Sequence, residues 1–113
     1  MGTNALANEI DGIKERVNVK SRDIARLVGT SPQTVSRWYA GESSPPTDRL
    51  RPLLTLNWIA TRLSEFFEPE EARLWLYRPH PLLDGASPAD YIEQERVDEV
   101  LALIDHLESG AYV

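Results

Sequence analysis

Residues 21–41 read SRDIARLVGTSPQTVSRWYAG. Ile24, Leu27 and Val28 recur at three- and four-residue spacing, and Val35 and Trp38 repeat the pattern after a break. Gly29 suits the positive φ on which helices stop. Ser31 offers an N-cap hydroxyl, and Pro32 falls at the first helical position, where its missing N–H costs nothing. The stretch predicts helices over 21–28 and 32–40 joined by a short glycine-containing turn, a helix-turn-helix. Ile24, Ala25 and Val28 can then face Val35 and Trp38, with Ala25 small enough for a close crossing. The second helix keeps Gln33, Thr34, Ser36 and Arg37 outward. Gln pairs bidentately with adenine and Arg with guanine in a major groove. Ser31 at the helix start can hold a phosphate. Arg22, with Lys20 and Arg26, adds charge for the DNA backbone. The expected DNA contacts are therefore Arg22, Ser31, Gln33, Thr34, Ser36 and Arg37. Pro32 takes the first exposed recognition position and cannot reach a base edge.

The same periodicity extends outward in both directions. Ile10, Ile13 and Val17 precede the pair, and Val97, Val100, Leu101, Ile104 and Leu107 close the chain. Ser87-Pro88 with Asp90 forms a capping-box-like start, and Glu68-Pro69-Glu70-Glu71 puts acid in a first turn. Gly41 and Gly110 mark helix ends; Glu42 to Pro46 and Pro79-His80-Pro81 are breakers. No stretch alternates apolar and polar residues as a strand does. The expected fold is an all-α small bundle, with further helices near 5–17, 49–67, 69–77, 88–94 and 96–109. Three segments follow: 1–46 around the helix-turn-helix, a connecting helix at 47–68, and a C-terminal unit at 69–113.

Charge divides the 113 residues unevenly. Residues 14–51 hold eight basic and four acidic side chains, a net of +4, whereas 52–113 hold four basic and twelve acidic, a net of −8. With Glu9 and Asp11 the whole chain is −6. A basic block beside an acidic one points to two tasks. The absence of cysteine excludes disulfides, thiolate-bound zinc and thiol nucleophiles. His80 and His106 lack zinc-ligand spacing, and no glycine-rich phosphate cradle is present. No apolar run approaches the roughly 20 residues of a membrane span. The expectation is a cytoplasmic protein, not an enzyme, with no cofactor, metal, membrane or small-molecule substrate.

Residues 50–67, LRPLLTLNWIATRLSEFF, are apolar on more than one face. Such a helix needs partners on several sides, so it is expected to serve both as core and as a homodimer contact through Leu56, Ile59, Leu63 and Phe66. Pro52 sets its start no earlier than about Asp48, or else kinks it.

In SPQTVSRWYAG the sequence resembles the Xre-type helix-turn-helix of lambda-like repressors. Beyond it come Trp75, the proline-flanked turn Pro79 to Leu83, the helix start Ser87 to Asp90, the helix Arg96 to Leu107, and the end Gly110 to Val113. That order resembles the C-terminal toxin-binding domain of Xre/MbcA/ParS-type antitoxins, and the two resemblances together cover nearly the whole chain. The family resemblance implies a RES-domain toxin, which consumes NAD, as partner. It implies that the C-terminal domain docks on the toxin and closes its active-site cleft. The residues implied in toxin binding are Trp75, Tyr77, Pro79, Leu82, Gly110, Ala111, Tyr112 and Val113. A net −8 unit can complement a basic, dinucleotide-binding partner. The tail is expected to act as a plug, Tyr112 replacing a nicotinamide or adenine ring and the Val113 carboxylate a substrate phosphate. Operator DNA is the expected second partner. The other function open to this sequence is a stand-alone Xre-type regulator whose C-terminal half only dimerises.

Overall fold

Asn4 opens the first helix, its Oδ1 accepting the Ala7 N–H at 2.7 Å. From there the computed structural model, which describes residues 4–110, runs helix after helix. The elements are α1 (Ala5–Val17), α2 (Ser21–Val28), α3 (Pro32–Ala40), α4 (Thr47–Leu63) and α5 (Pro69–Tyr77), then a 3₁₀ turn (Pro81–Leu83), α6 (Pro88–Glu93) and α7 (Val97–Glu108). Among the described residues there is no strand.

Local chemistry sets the boundaries. α2 ends on Gly29 at φ +81°, and the Thr30 N–H returns to the Ala25 carbonyl at 2.8 Å, closing the helix end in the αL manner. Ser31 Oγ accepts the Thr34 N–H at 3.1 Å and so starts α3. Ser87 and Asp90 cap each other reciprocally, the Asp90 N–H donating to Ser87 Oγ at 3.1 Å and the Ser87 N–H to Asp90 Oδ2 at 3.0 Å.

α4 departs from expectation at both ends. It begins at Thr47 and ends at Leu63, after which tight turns carry the chain through Phe67. Pro52 lies inside it. A proline there strips the Asp48 carbonyl of its helical N–H partner. Arg49 Nη1 donates to that carbonyl at 3.3 Å, which replaces part of the lost bond.

α4 also turns inward three of the four residues expected at a dimer contact. Leu56, Ile59 and Leu63 are fully buried within one chain, alongside Leu53 and Ala60. They face α1 on one side and α2 and α7 on others. Burying each such side chain stabilises the fold by roughly 1.5–3 kcal/mol, so none is free for a second copy. Of the four expected contacts only Phe66 is exposed.

α1 crosses α4 at Gly12, where a β-carbon would lie 3.2 Å from Asn57 Oδ1. Asn57 donates to Glu9 Oε1 at 2.6 Å and accepts from Arg16 at 3.4 Å. The C-terminal unit packs onto the first through α5 against α1 and α6 against α2. Arg73 seals that seam, its Nη1 reaching the Asn18 carbonyl at 3.1 Å and Asp23 at 3.4 Å. One buried cluster runs from Ile10 to Ile104 through all three expected segments.

Candidate interaction surfaces

The helix pair expected at residues 21–41 is present, with Ile24, Ala25, Val28, Val35 and Trp38 all in the core. α3 turns Gln33, Ser36 and Arg37 outward and leaves Thr34 half-buried. Arg22 is exposed on α2. The Ser31 hydroxyl is engaged locally: besides capping Thr34 it shares a 2.8 Å hydrogen bond with Thr34 Oγ1. A residue missed in the sequence joins this face. The Arg49 guanidinium from α4 lies over Gly29, its Cζ 3.6 Å from where a β-carbon would stand. The turn between α2 and α3 thus carries a cation brought from 20 residues further along.

The second surface is built on α5 and the turn after it. Phe67, Glu71, Leu74, Trp75, Arg78, Pro79, His80 and Pro81 line a cleft of about 590 Å³. On α5, Glu71, Leu74 and Trp75 share a helical face, while Ala72 and Leu76 point into the core; Arg78 follows as the extended C-cap residue. Leu74 and Leu82 are 55% and 56% exposed, unusual for leucine beside a cleft. Trp75 is half-buried, packing on the core edge while also lining the cleft. Pro79 is exposed beside it.

Tyr77 does not belong to this group. Its ring lies under Arg73, 5.0 Å from the guanidinium carbon. Burial pushes its phenol up to about 12, with the Asp23 carboxylate adding to the effect. It stands at the seam with α2, near Asp23, and is outside the lining of the cleft. Gly110 is exposed and takes φ +81°, ending the helical region as expected. Ala111, Tyr112 and Val113 lie outside the described residues.

His80 holds the turn below the cleft. Its Nδ1 accepts the Leu82 N–H at 3.2 Å, which leaves the proton on Nε2, buried without a partner. Only 8% of the residue is exposed, and burial lowers its pKa below the ordinary value. A histidine that binds its proton less readily when folded destabilises the fold on protonation. Its contribution is intact above about pH 6.5 and is lost as the pH falls below that. The thermal midpoint is expected to drop between pH 7.5 and pH 5, and to drop less in His80→Asn, which keeps an acceptor for Leu82 but cannot titrate. Equal slopes for the two proteins would remove His80 from the account.

A third exposed area lies on α4. Leu54 and Trp58, one helical turn apart, are 45% and 55% exposed. The Arg62 guanidinium stands 5.9 Å from the Trp58 ring and bonds to Asp105 and Glu108 of α7. Among the described residues no three His, Cys, Asp or Glu side chains gather as a metal site, and no helix is long and apolar enough to cross a membrane.

A protein made of contact faces on a single helical core has the build of a binding protein, and its relatives are the antitoxins of toxin–antitoxin pairs. Residues 62–110 match the antitoxin Xre/MbcA/ParS C-terminal toxin-binding domain. The mycobacterial cidal antitoxin MbcA of Mycobacterium tuberculosis is 34% identical over 113 residues, 100% of both chains, and so is that of Mycobacterium bovis. A chain of the crystal structure of the M. tuberculosis MbcT–MbcA toxin–antitoxin complex superposes with a TM-score of 0.84 at 33% identity, covering 97% of this chain and 99% of that one. The chain belongs to the Xre/MbcA/ParS antitoxin family.

Proposed function

We propose that this chain is the antitoxin of a type II pair, neutralising a RES-domain toxin that degrades NAD by covering its active-site cleft. The observation that carries the reading is the cleft walled by Leu74, Trp75 and Pro79, with exposed Leu82 in the turn that follows, within the segment that matches the toxin-binding domain. Full-length similarity to MbcA, found in a complex with MbcT, supports it. The test is NAD consumption by the RES-type toxin of its own operon, with and without an equimolar amount of this chain. Full inhibition is expected. Undiminished turnover with an intact antitoxin present would end the proposal, and operator binding without toxin binding would leave a stand-alone regulator. The tail Ala111 to Val113, with exposed Gly110 as its hinge, is the proposed plug. A chain lacking the tail is expected to bind toxin but to inhibit it incompletely.

The same protein, working in the cytoplasm, is proposed to bind its own operator through α2 and α3. Division of labour follows the three segments: 1–46 for DNA, 47–68 for support and pairing, 69–113 for toxin. Gln33, Ser36 and Arg37 are exposed together on α3, with Thr34, Ser31 and Arg22 beside them. Arg37→Ala is expected to weaken operator binding by roughly 1–3 kcal/mol in a gel shift while leaving toxin affinity unchanged. An unaltered operator affinity would refute the assignment.

Paired half-sites call for a homodimer. With Leu56, Ile59 and Leu63 buried, the available apolar pair on α4 is Leu54 and Trp58, with Phe66 two turns beyond. Sedimentation should show a dimer at micromolar concentration, converted to monomer by Leu54→Glu with Trp58→Glu. A dimer that survives both substitutions places the contact elsewhere.

A further inference from the structure

Residues 52–113 contain four cations among twelve acidic side chains. Three of the four are consumed inside the chain. Arg62 bonds Asp105 and Glu108 and lies over Trp58. Arg73 bonds Asp23 and lies over Tyr77. Arg96 bonds Glu99 at 2.9 Å and stacks 4.1 Å from the Tyr91 ring centre. The fourth, Arg78, is exposed and makes neither a side-chain hydrogen bond nor an ion pair among the described residues. It stands on the rim of the cleft beside Trp75.

We propose that Arg78 anchors the docking face and takes a carboxylate, from an Asp or Glu side chain of the toxin, seated in the cleft against Leu74, Trp75 and Pro81. The inference rests on the reading that this face meets the toxin. Three features of the cleft argue for an acid. The guanidinium offers a two-pronged donor that matches a carboxylate and is already free of internal partners. The acidic side chain in the cleft lining, Glu71, turns its Oε1 to the Glu68 N–H at 2.9 Å and so leaves Arg78 uncompensated. Apolar walls exclude water from a seated ion pair, and arginine beside an aromatic wall is the composition of binding hot spots.

The surrounding charge makes the contact selective. The stretch 52–113, of net −8, repels acidic surfaces in general and admits one where an uncompensated cation waits. The fitting partner is therefore a largely basic surface carrying a single carboxylate opposite Arg78, which fixes the orientation of docking as well as adding affinity.

The experiment is calorimetric titration of the RES-type toxin of the same operon into the intact chain and into Arg78→Glu, Arg78→Lys and Leu82→Asp. Arg78→Glu is expected to lose about 30-fold in affinity, the loss typical of a hot spot. Arg78→Lys should lose less, since it keeps the charge and loses the fork. Melting temperatures should change little, because the Arg78 side chain makes no hydrogen bond or ion pair among the described residues. Replacing the opposing toxin acid by Arg should restore binding to Arg78→Glu. If Arg78→Glu binds like the unaltered chain while Leu82→Asp binds poorly, the anchor is overturned and the docking face stands. If neither substitution changes binding, or the unaltered chain does not bind, the docking reading falls and takes the anchor with it.

Discussion

Trp38→Ala is expected to destabilise the protein by about 3–5 kcal/mol, the usual cost of emptying a large aromatic site in a core. Trp38 is 2% exposed and is the largest fully buried side chain. It lies one turn from the end of α3, just ahead of the Gly41 stop at φ +79°, so its removal leaves a cavity that a capped helix cannot easily slide to fill. At roughly 4–8 °C per kcal/mol for a domain near this size, the thermal midpoint should fall by at least about 12 °C. The buried cluster is continuous from α1 to α7, so the loss should appear as one earlier transition for the whole chain, not as local melting of α2 and α3. The neighbouring Tyr39 gives the contrast. It is exposed and held to α1 by a 3.1 Å bond from its hydroxyl to Asp11, so Tyr39→Ala should cost about 1 kcal/mol. Circular dichroism melts of both variants provide the check. A shift below about 5 °C for Trp38→Ala would mean that the core around α3 closes over the gap.

That core was readable in advance wherever a helix has one buried face. Ile10, Ile13 and Val17 on α1 and Ile24, Leu27 and Val28 on α2 follow a single stripe, and both helices span the expected residues. α5 likewise runs from Pro69 to Tyr77 as its Glu-Pro start predicts. α4 could not be read this way. Its apolar residues surround the helix, and spacing alone does not say whether the covering surface comes from the same chain or from a second one. α1, α2 and α7 cover Leu56, Ile59 and Leu63, leaving Leu54 and Trp58 outside. Pro52 placed the start of α4 to within one residue, at Thr47, and the Asp48 carbonyl that it frees is bonded by Arg49, a contact the sequence did not show.

The candidate sites were legible in part. Gln33, Ser36 and Arg37 point outward because a helix with Val35 and Trp38 buried leaves them no other side. Tyr77 falls outside the cleft because residues two apart on a helix face different ways, which sequence order by itself does not show. The signal for Leu74 was present in the same geometry: with Ala72 and Leu76 inward, positions 71, 74 and 75 form the opposite face, and Arg78 follows just past the helix end. Arg49 over Gly29 had no signal in sequence, since it depends on how α4 lies against α2.

Substituting Leu74→Asp and Leu82→Asp together should abolish toxin binding while leaving the fold intact. Each leucine is more than half exposed, so the free protein gains little from it and loses little by its replacement. In the complex the account reverses. Burying the remaining apolar surface of a leucine contributes on the order of 1 kcal/mol. An aspartate at the same place loses that contribution and must also shed water at an apolar contact. Two such sites on one face should lower affinity by at least about 100-fold, or roughly 2.7 kcal/mol. Operator binding should be unaffected, because the two substitutions lie on α5 and the 3₁₀ turn and not on α2 or α3. Trp75→Ala should behave differently. Trp75 packs on the core edge as well as lining the cleft, so its removal should lower both the melting point and toxin affinity. Thermal melts paired with titration separate the two patterns. If the double aspartate variant still binds at the level of the unaltered chain, the face of α5 is not where the toxin docks. Inhibition would then have to come from a different surface of the C-terminal unit.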